Sequence, residues 1–374
     1  MAVVHRDITL LVGLAILTAI AFAGTAWVAA GNREMHRDDA SQWFGRAQRA
    51  LDEGRTPDAV AALRRATTQD PEYREYRLAL ASALAQEGVD AEARQILLAL
   101  RERQPEDPDI NLRLARLEVA SESGLTDKIR YYQMAIASLW SDEDLDSRRQ
   151  VRVELIRLLL ARGQRSRALS ELLLLGVNLP DNPESEIEIA ELFLQAGDSQ
   201  RALEGFTDAL ADEPESERGL AGAGEAAFEL EDYASARRYL ARVSPDNVRA
   251  RRLGTVSALV LDQDPLAARL GTAERRRRLV TIFEHAIQNL EDCAIPRPGQ
   301  AGDTLRYLDP LRIEASEFAE QLRSASAVQV RDAVEEGLDL VNRLQQAVGK
   351  TCGASAPLDE ALARISRRHG LDAS

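Results

Sequence analysis

A spacing of 34 residues runs through the chain and constrains its fold more than any other feature. Ala59 and Ala93 stand one period apart, as do Ala168, Ala202 and Ala236. Leu63 and Leu97 keep the step, and so do Leu172, Phe206 and Leu240. Gly54 with Gly88, Gly163 with Gly197, Pro71 with Pro105 and Pro180 with Pro214 repeat it again. A period of this length marks a supersecondary unit that cannot bury its apolar face alone and must stack on copies of itself. The units are helical: Ala, Leu, Arg and Glu dominate, aromatics make up 5 % of the chain, and few segments alternate as strands do.

The clearest unit is Pro183 to Ser216, PESEIEIAELFLQAGDSQRALEGFTDALADEPES. Ala190 suits a close helix crossing, Gly197 a turn with positive φ, and Ala202 a small contact on the second helix. Phe206 and Ala209 face the core, and Pro214 ends the second helix. These residues resemble the tetratricopeptide repeat, a pair of antiparallel helices. The same pattern fits Ala40–Tyr73, with Trp43 at the family's aromatic position, and Arg74–Asp107, Arg149–Asn182 and Glu217 to about Asn247. A degenerate unit covers Pro108 to about Asp142, with extra residues around Ser121–Thr126 and Ser141–Asp146. The expected fold is all-α: a transmembrane helix, then a right-handed α-solenoid of helical hairpins over 40–247 (about six repeats), an elongated seventh hairpin over 248–293 and a helical cap over 294–374.

The resemblance implies that the first helix of each unit lines an inner groove for a peptide or a partner helix. The residues expected there are Phe44, Gln48, Leu78, Ser82, Val153, Arg157, Ile187, Glu191, Ala221, Glu225 and Phe228. Each of them competes with a packing role between repeats. Family members that bind chaperones clamp a carboxylate with Lys, Arg and Asn. Gln48, Ser82 and Glu191 hold comparable places here, so that activity is not expected.

After a short tail, 1–7, residues Ile8 to Ala30 carry no charge and reach about 34 Å as a helix, enough for a bilayer core of roughly 30 Å. We expect an uncleaved single-pass anchor in a bacterial inner membrane, followed by a linker over 31–39. Val28-Ala29-Ala30 leaves a cleaved signal peptide as the alternative, which would release a soluble periplasmic adaptor. Arg33, Arg37, Arg46 and Arg49 follow the segment, and a naive charge count retains the domain in the cytoplasm. Asp38 and Asp39 dilute that count, and the very short N-terminal tail favours export. The soluble domain is therefore expected in the periplasm.

The C-terminal part continues as helices at Arg249–Leu261, Ala273 to about Asp292, Pro310–Arg323, Val328–Val348 and Leu358–His369. Its default role is to close the exposed end of the core. Arg275–Arg278 form a basic run. On a helix its members face all directions, so at least one must lie against neighbours, and an ion-paired face is the expectation over an anion site. Cys293 and Cys352 are the only cysteines. In an exported domain they are candidates for a disulfide, and in a reducing compartment they would be buried thiols.

The net charge of −14 does not suit nucleic acid, and no nucleic-acid partner is expected. His5, His36, His285 and His369 have no metal-ligand partners at helical spacing, and no metal, cofactor or catalytic residue is expected. The string Gly222-Ala-Gly224-Glu-Ala-Ala227 approaches a dinucleotide fingerprint. No strand precedes it, so close helix packing explains the glycines better. The expected role is a membrane-anchored scaffold that holds protein partners. An enzyme with its site in the C-terminal helices, around Arg275–Arg278, is the reading from another class.

Overall fold

A computed structural model describes residues 18, 22, 25, 34–117, 122–138, 140, 144–175, 182–294, 309–352 and 357–368. Among them there are helices and turns but no strand, and no helix is long and apolar enough to cross a membrane. Apart from Thr18, Phe22 and Thr25, the expected anchor at 8–30 lies outside the described residues, as do Pro180, Ser121 and His369.

The chain divides into two compact units, Met1–Leu158 and Leu159–Ser374. In the N-terminal unit α1 (34–52) is followed by α2 (Thr56–Gln69), α3 (Arg74–Gln86), α4 (Asp90–Arg103), α5 (Pro108–Arg116) and α6 (Glu122–Ala137). The unit boundary falls within α7 (Leu145–Ala161). Consecutive helices from α2 to α6 pack on one another. The guanidinium groups of Arg46 and Arg65 each lie over the Trp43 ring, 4.3 Å from its centroid. Asn111, wholly buried, gives its amide protons to the Pro105 and Asp107 carbonyls (both 2.9 Å) and accepts from Arg101 Nε (3.1 Å), so its burial leaves no group unmatched.

The C-terminal unit contains α8 (Arg165–Leu175), α9 (Pro183–Ala196), α10 (Ser199–Asp212), α11 (Glu217–Glu229), α12 (Tyr233–Leu240) and α13 (Val248–Gln263). α14 (Thr272–Ala294), α15 (Asp309–Ser324), α16 (Ala327–Cys352) and α17 (Pro357–Arg368) complete it. Start signals recur with the period. Asn182 and Ser216 cap α9 and α11 by accepting from Ser185 N (2.9 Å) and Gly219 N (3.4 Å), and Asp198 and Asp232 cap α10 and α12 from Arg201 N and Ser235 N (3.1 Å each). Ala59, Ala93, Ala168, Ala202 and Ala236 are all wholly buried. A Cβ on Gly205 would stand 3.1 Å from that of Ala190, the close crossing expected at that alanine.

The turns inside the repeats share one geometry. Gly54, Gly88, Gly163 and Gly197 have φ between 68° and 91°. At Gly197 the chain donates from Gly197 N to Leu194 O (3.1 Å) and from Asp198 N to Phe193 O (2.9 Å). One period on, the same two bonds recur at Glu231 N and Asp232 N, but Glu231 must hold φ at 60°. A side chain in that conformation costs ~1–2 kcal/mol, whereas glycine adopts it freely at some entropic cost. Glu231→Gly is therefore expected to raise stability by about 0.5–1 kcal/mol, read as a higher urea midpoint. An unchanged or lower midpoint would show that the turn carries no strain.

At the C-terminal end the sequence reading joins α13 and α14 as a seventh hairpin. The structure pairs them differently. α13 packs mainly on α12 and α17, and α14 mainly on α16 and α15. One continuous core links Phe228, Tyr233 and Val256 to Phe283, Leu338 and Ile365. The expected helix positions match α13 to α17 within a few residues, and Phe283 and Ala286 are buried as the repeat spacing implied.

Candidate partner-binding clefts

Each unit carries a cleft built on its first-position helices. In the N-terminal unit a cleft of about 340 Å³ is lined by Ser82, Leu97, Arg113, Arg116 and Leu117 among others. Arg113 Nη1 donates to Ser82 Oγ, and Arg113 Nε holds Asp109 at 3.0 Å. Arg116 makes a two-pronged contact with Glu154 (3.0 and 2.6 Å), which also accepts from the Tyr132 hydroxyl at 3.2 Å. Burial, then the Glu154 charge, pushes the Tyr132 phenol far up, so it stays a donor across the physiological range.

The larger cleft, about 760 Å³, lies between α9 and α11 in the C-terminal unit. Glu191, Leu194 and Gln195 line it from α9, and Arg218, Ala221, Gly222 and Glu225 from α11. Its apolar floor depends on glycine. A Cβ on Gly222 would fall 2.2 Å from Cζ of Phe206, so only glycine lets that buried ring close the cleft from behind. The walls are charged. Arg218 reaches Glu191 with Nε (3.2 Å) and Nη2 (3.0 Å) and Glu184 with Nη1, and Arg249 meets Glu225. The hydrogen bond to Glu191 leads in holding the Arg218 pKa up. Arg165 and Glu217 also line the cleft. An apolar floor between charged walls of both signs fits a polypeptide with alternating apolar and charged groups.

The expected groove residues divide. Ser82, Glu191, Ala221 and Glu225 line the clefts. Gln48 and Arg157 are exposed, and Phe44 is half-buried with its ring 5.0 Å from that of Tyr76. Leu78, Val153, Ile187 and Phe228 are instead core residues, each 4 % exposed or less. Apolar side chains are the ones on the stripe that gain from burial; the Phe228 ring is covered by Tyr233 (5.7 Å between centroids) and by the Arg364 guanidinium of α17 (3.8 Å). Arg113, Arg116, Arg218 and Arg249 were missed. Arg218 sits one turn from Ala221, whereas Arg113, Arg116 and Arg249 lie on α5 and α13, helices from which no groove residue was expected.

The basic run and the glycine string both serve packing. Arg278 donates to Leu261 O (3.1 Å) and Asp264 O (2.9 Å), which satisfies the carbonyl end of α13. Arg275 donates to Pro265 O at 3.0 Å, Arg276 to Ala325 O, and Arg277 with Arg278 pairs with Glu274. Hydrogen bonds from Arg277 and then Arg278 hold the Glu274 carboxyl down to about 2. Gly224 lies within α11, where a Cβ would meet Leu240 Cδ2 at 2.5 Å. His285 faces Asp359 (3.2 Å) and Asn289 (3.0 Å), a polar tie between α14 and α17. Among the described residues no group of three His, Cys, Asp or Glu is placed to hold a metal. Cys293 is buried and disulfide-bonded.

The tetratricopeptide repeat family model matches residues 50–121 and 193–259, less than half of the chain, with one stretch in each unit. The repeat is thus supported in both units, and such repeats generally mediate protein–protein interaction. Among curated proteins none matches. Solved structures similar to the chain include PilW, a type IV pilus biogenesis factor (17 % identity, 57 % of this chain and 96 % of that one, TM-score 0.40). TTC0263, a thermophilic protein of Thermus thermophilus with the same repeat, is 20 % identical over 51 % of this chain and 99 % of its own, with a TM-score of 0.33. The TPR2AB domain of yeast Sti1 with pHSP90 is 16 % identical over 74 % and 98 %, with a TM-score of 0.29. Likenesses at this level carry no argument about function.

Proposed function

We propose that the chain is a membrane-anchored scaffold of a bacterial envelope assembly and holds protein partners in the clefts described above. The observation that carries this is the α9–α11 cleft, with the Phe206 ring behind Gly222 and the Arg218–Glu191 and Arg249–Glu225 pairs along its walls. Residues 8–30 provide the anchor, and the repeat units stand in the periplasm. A disulfide at Cys293 suits that oxidising compartment, and its partner is Cys352, the only other cysteine in the chain.

The test is crosslinking in cells, with wild type compared against a variant carrying Glu191→Arg and Glu225→Arg. Both side chains are partly exposed, so the variant should fold, which circular dichroism verifies. A defined set of proteins held by wild type and lost from the folded variant is expected. Equal capture by both would move binding away from this cleft. The small residues Val28-Ala29-Ala30 keep one second reading open, a released periplasmic adaptor. The mass of the mature protein decides between them, because retention of the first thirty residues sinks cleavage.

A further inference from the structure

The last helix lies on the same surface that lines the larger cleft. Along α11, Arg218, Gly222, Glu225 and Glu229 follow at steps of four, three and four residues and so form one stripe. The first three line the cleft. Glu229, one turn further, faces Arg364 of α17 at 3.6 Å. Beside it, the Arg364 guanidinium lies 3.8 Å from the ring centroid of Phe228. α13 repeats the arrangement: Arg249 lines the cleft, and Arg252, one turn on, donates to Glu360 at 3.0 Å. Between these polar contacts Ala361, Leu362 and Ile365 are wholly buried. α17 therefore occupies the continuation of the cleft.

We propose that α17 is a tethered ligand of this groove, and that a partner helix of the same chemistry takes its seat by displacing it. The proposal rests on reading the clefts as partner-binding and names the partner's character. That partner is an amphipathic helix with a small–Leu–x–x–Ile face, a carboxylate for Arg252 and, four residues later, an arginine for Phe228 and Glu229. Two physical points support it. A helix of twelve residues is marginal alone in water, so α17 is helical because it is docked. Its recognition is also written in side chains on both edges. Arg364, 13 % exposed, gains both the ring and the carboxylate, a pairing that arginine makes well and other residues do not. The contacts span more than one hundred residues of sequence, and only a short link at 353–356 joins α17 to α16.

The test uses the full chain with a protease recognition sequence inserted between Ala354 and Ser355. After cleavage, a fluorescent peptide of residues 357–368 is added. The expected result is saturable exchange of the peptide into a chain that keeps its helical signal. Arg364→Glu in the peptide should weaken binding on the order of tenfold. The uncut chain should take up at least about tenfold less peptide, because its own α17 fills the seat. Hydrogen exchange of the intact chain gives an independent measurement: α17 amides should open more readily than those of α13 and α16. If the cut chain unfolds, if the peptide fails to enter, or if α17 exchanges no faster than its neighbours, α17 is part of the core and the proposal is overturned. Partner capture lost with the Glu191 and Glu225 changes would still stand in that event, so failure of the two readings is distinguishable.

Discussion

Phe206→Ala is expected to destabilise the C-terminal unit by about 3–5 kcal/mol. The ring is wholly buried on α10, packed where α11 passes closest, and its removal leaves a void that the glycine opposite does not fill. The control is Gly222→Ala, and its sign depends on the background. In the native chain an added Cβ collides with the ring at 2.2 Å, and overpacking costs about 1–3 kcal/mol. With Phe206 already replaced by alanine, that Cβ occupies vacated space, and the helix gains about 1 kcal/mol from exchanging glycine for alanine. A double-mutant cycle followed by urea unfolding should thus give a favourable coupling between the two changes. Additive effects would mean that the ring and the glycine do not meet. The same cycle probes the cleft, because Phe206→Ala removes its floor while leaving the charged walls in place.

The second large effect is expected from the cysteines. Cys293 is the last residue but one of α14 and Cys352 ends α16, two helices that pack together. A bond between them closes a loop of nearly sixty residues, and restricting the unfolded chain in that way contributes ~4 kcal/mol. Cys352→Ser should therefore lower the unfolding free energy by about that amount, and reductant should reproduce the loss in the native chain but have no effect on the variant. Intact mass after alkylation without reduction gives the direct check: neither thiol should react. Two alkylated thiols in the folded protein would remove both the bond and its contribution. Because α17 follows Cys352 within five residues, the same variant shows whether this anchor helps seat the last helix.

The repeat architecture was legible because it is local and periodic. Ala202 and Ala236, Gly163 and Gly197, and Pro71 and Pro105 report a helix crossing, a left-handed turn and a helix stop, and each requirement is met within one unit by one residue type. Glu231 stands one period after Gly197 and keeps the same turn, but its positive φ is known only from the structure. The basic run implied an ion-paired face with at least one arginine against neighbours; the Glu274 pairs fit that, but the backbone carbonyls that Arg275, Arg276 and Arg278 satisfy come from elsewhere in the chain and are not encoded in the run. Whether Leu78, Val153, Ile187 and Phe228 face the groove or pack is open in the sequence, because the pattern of one helix does not say what covers its edge; the structure buries all four.

What the sequence by itself determined was therefore the class of fold, the helix positions and the turn geometry, all set by hydrogen-bonding and conformational preferences within about 34 residues. Only the tertiary structure decided that α14 turns to α15 and α16, that α17 returns to α11 and α13, and that Phe206 closes a cleft through Gly222. Those contacts join residues far apart in the chain. They follow from shape and charge matching between faces, which residue spacing along one helix does not encode.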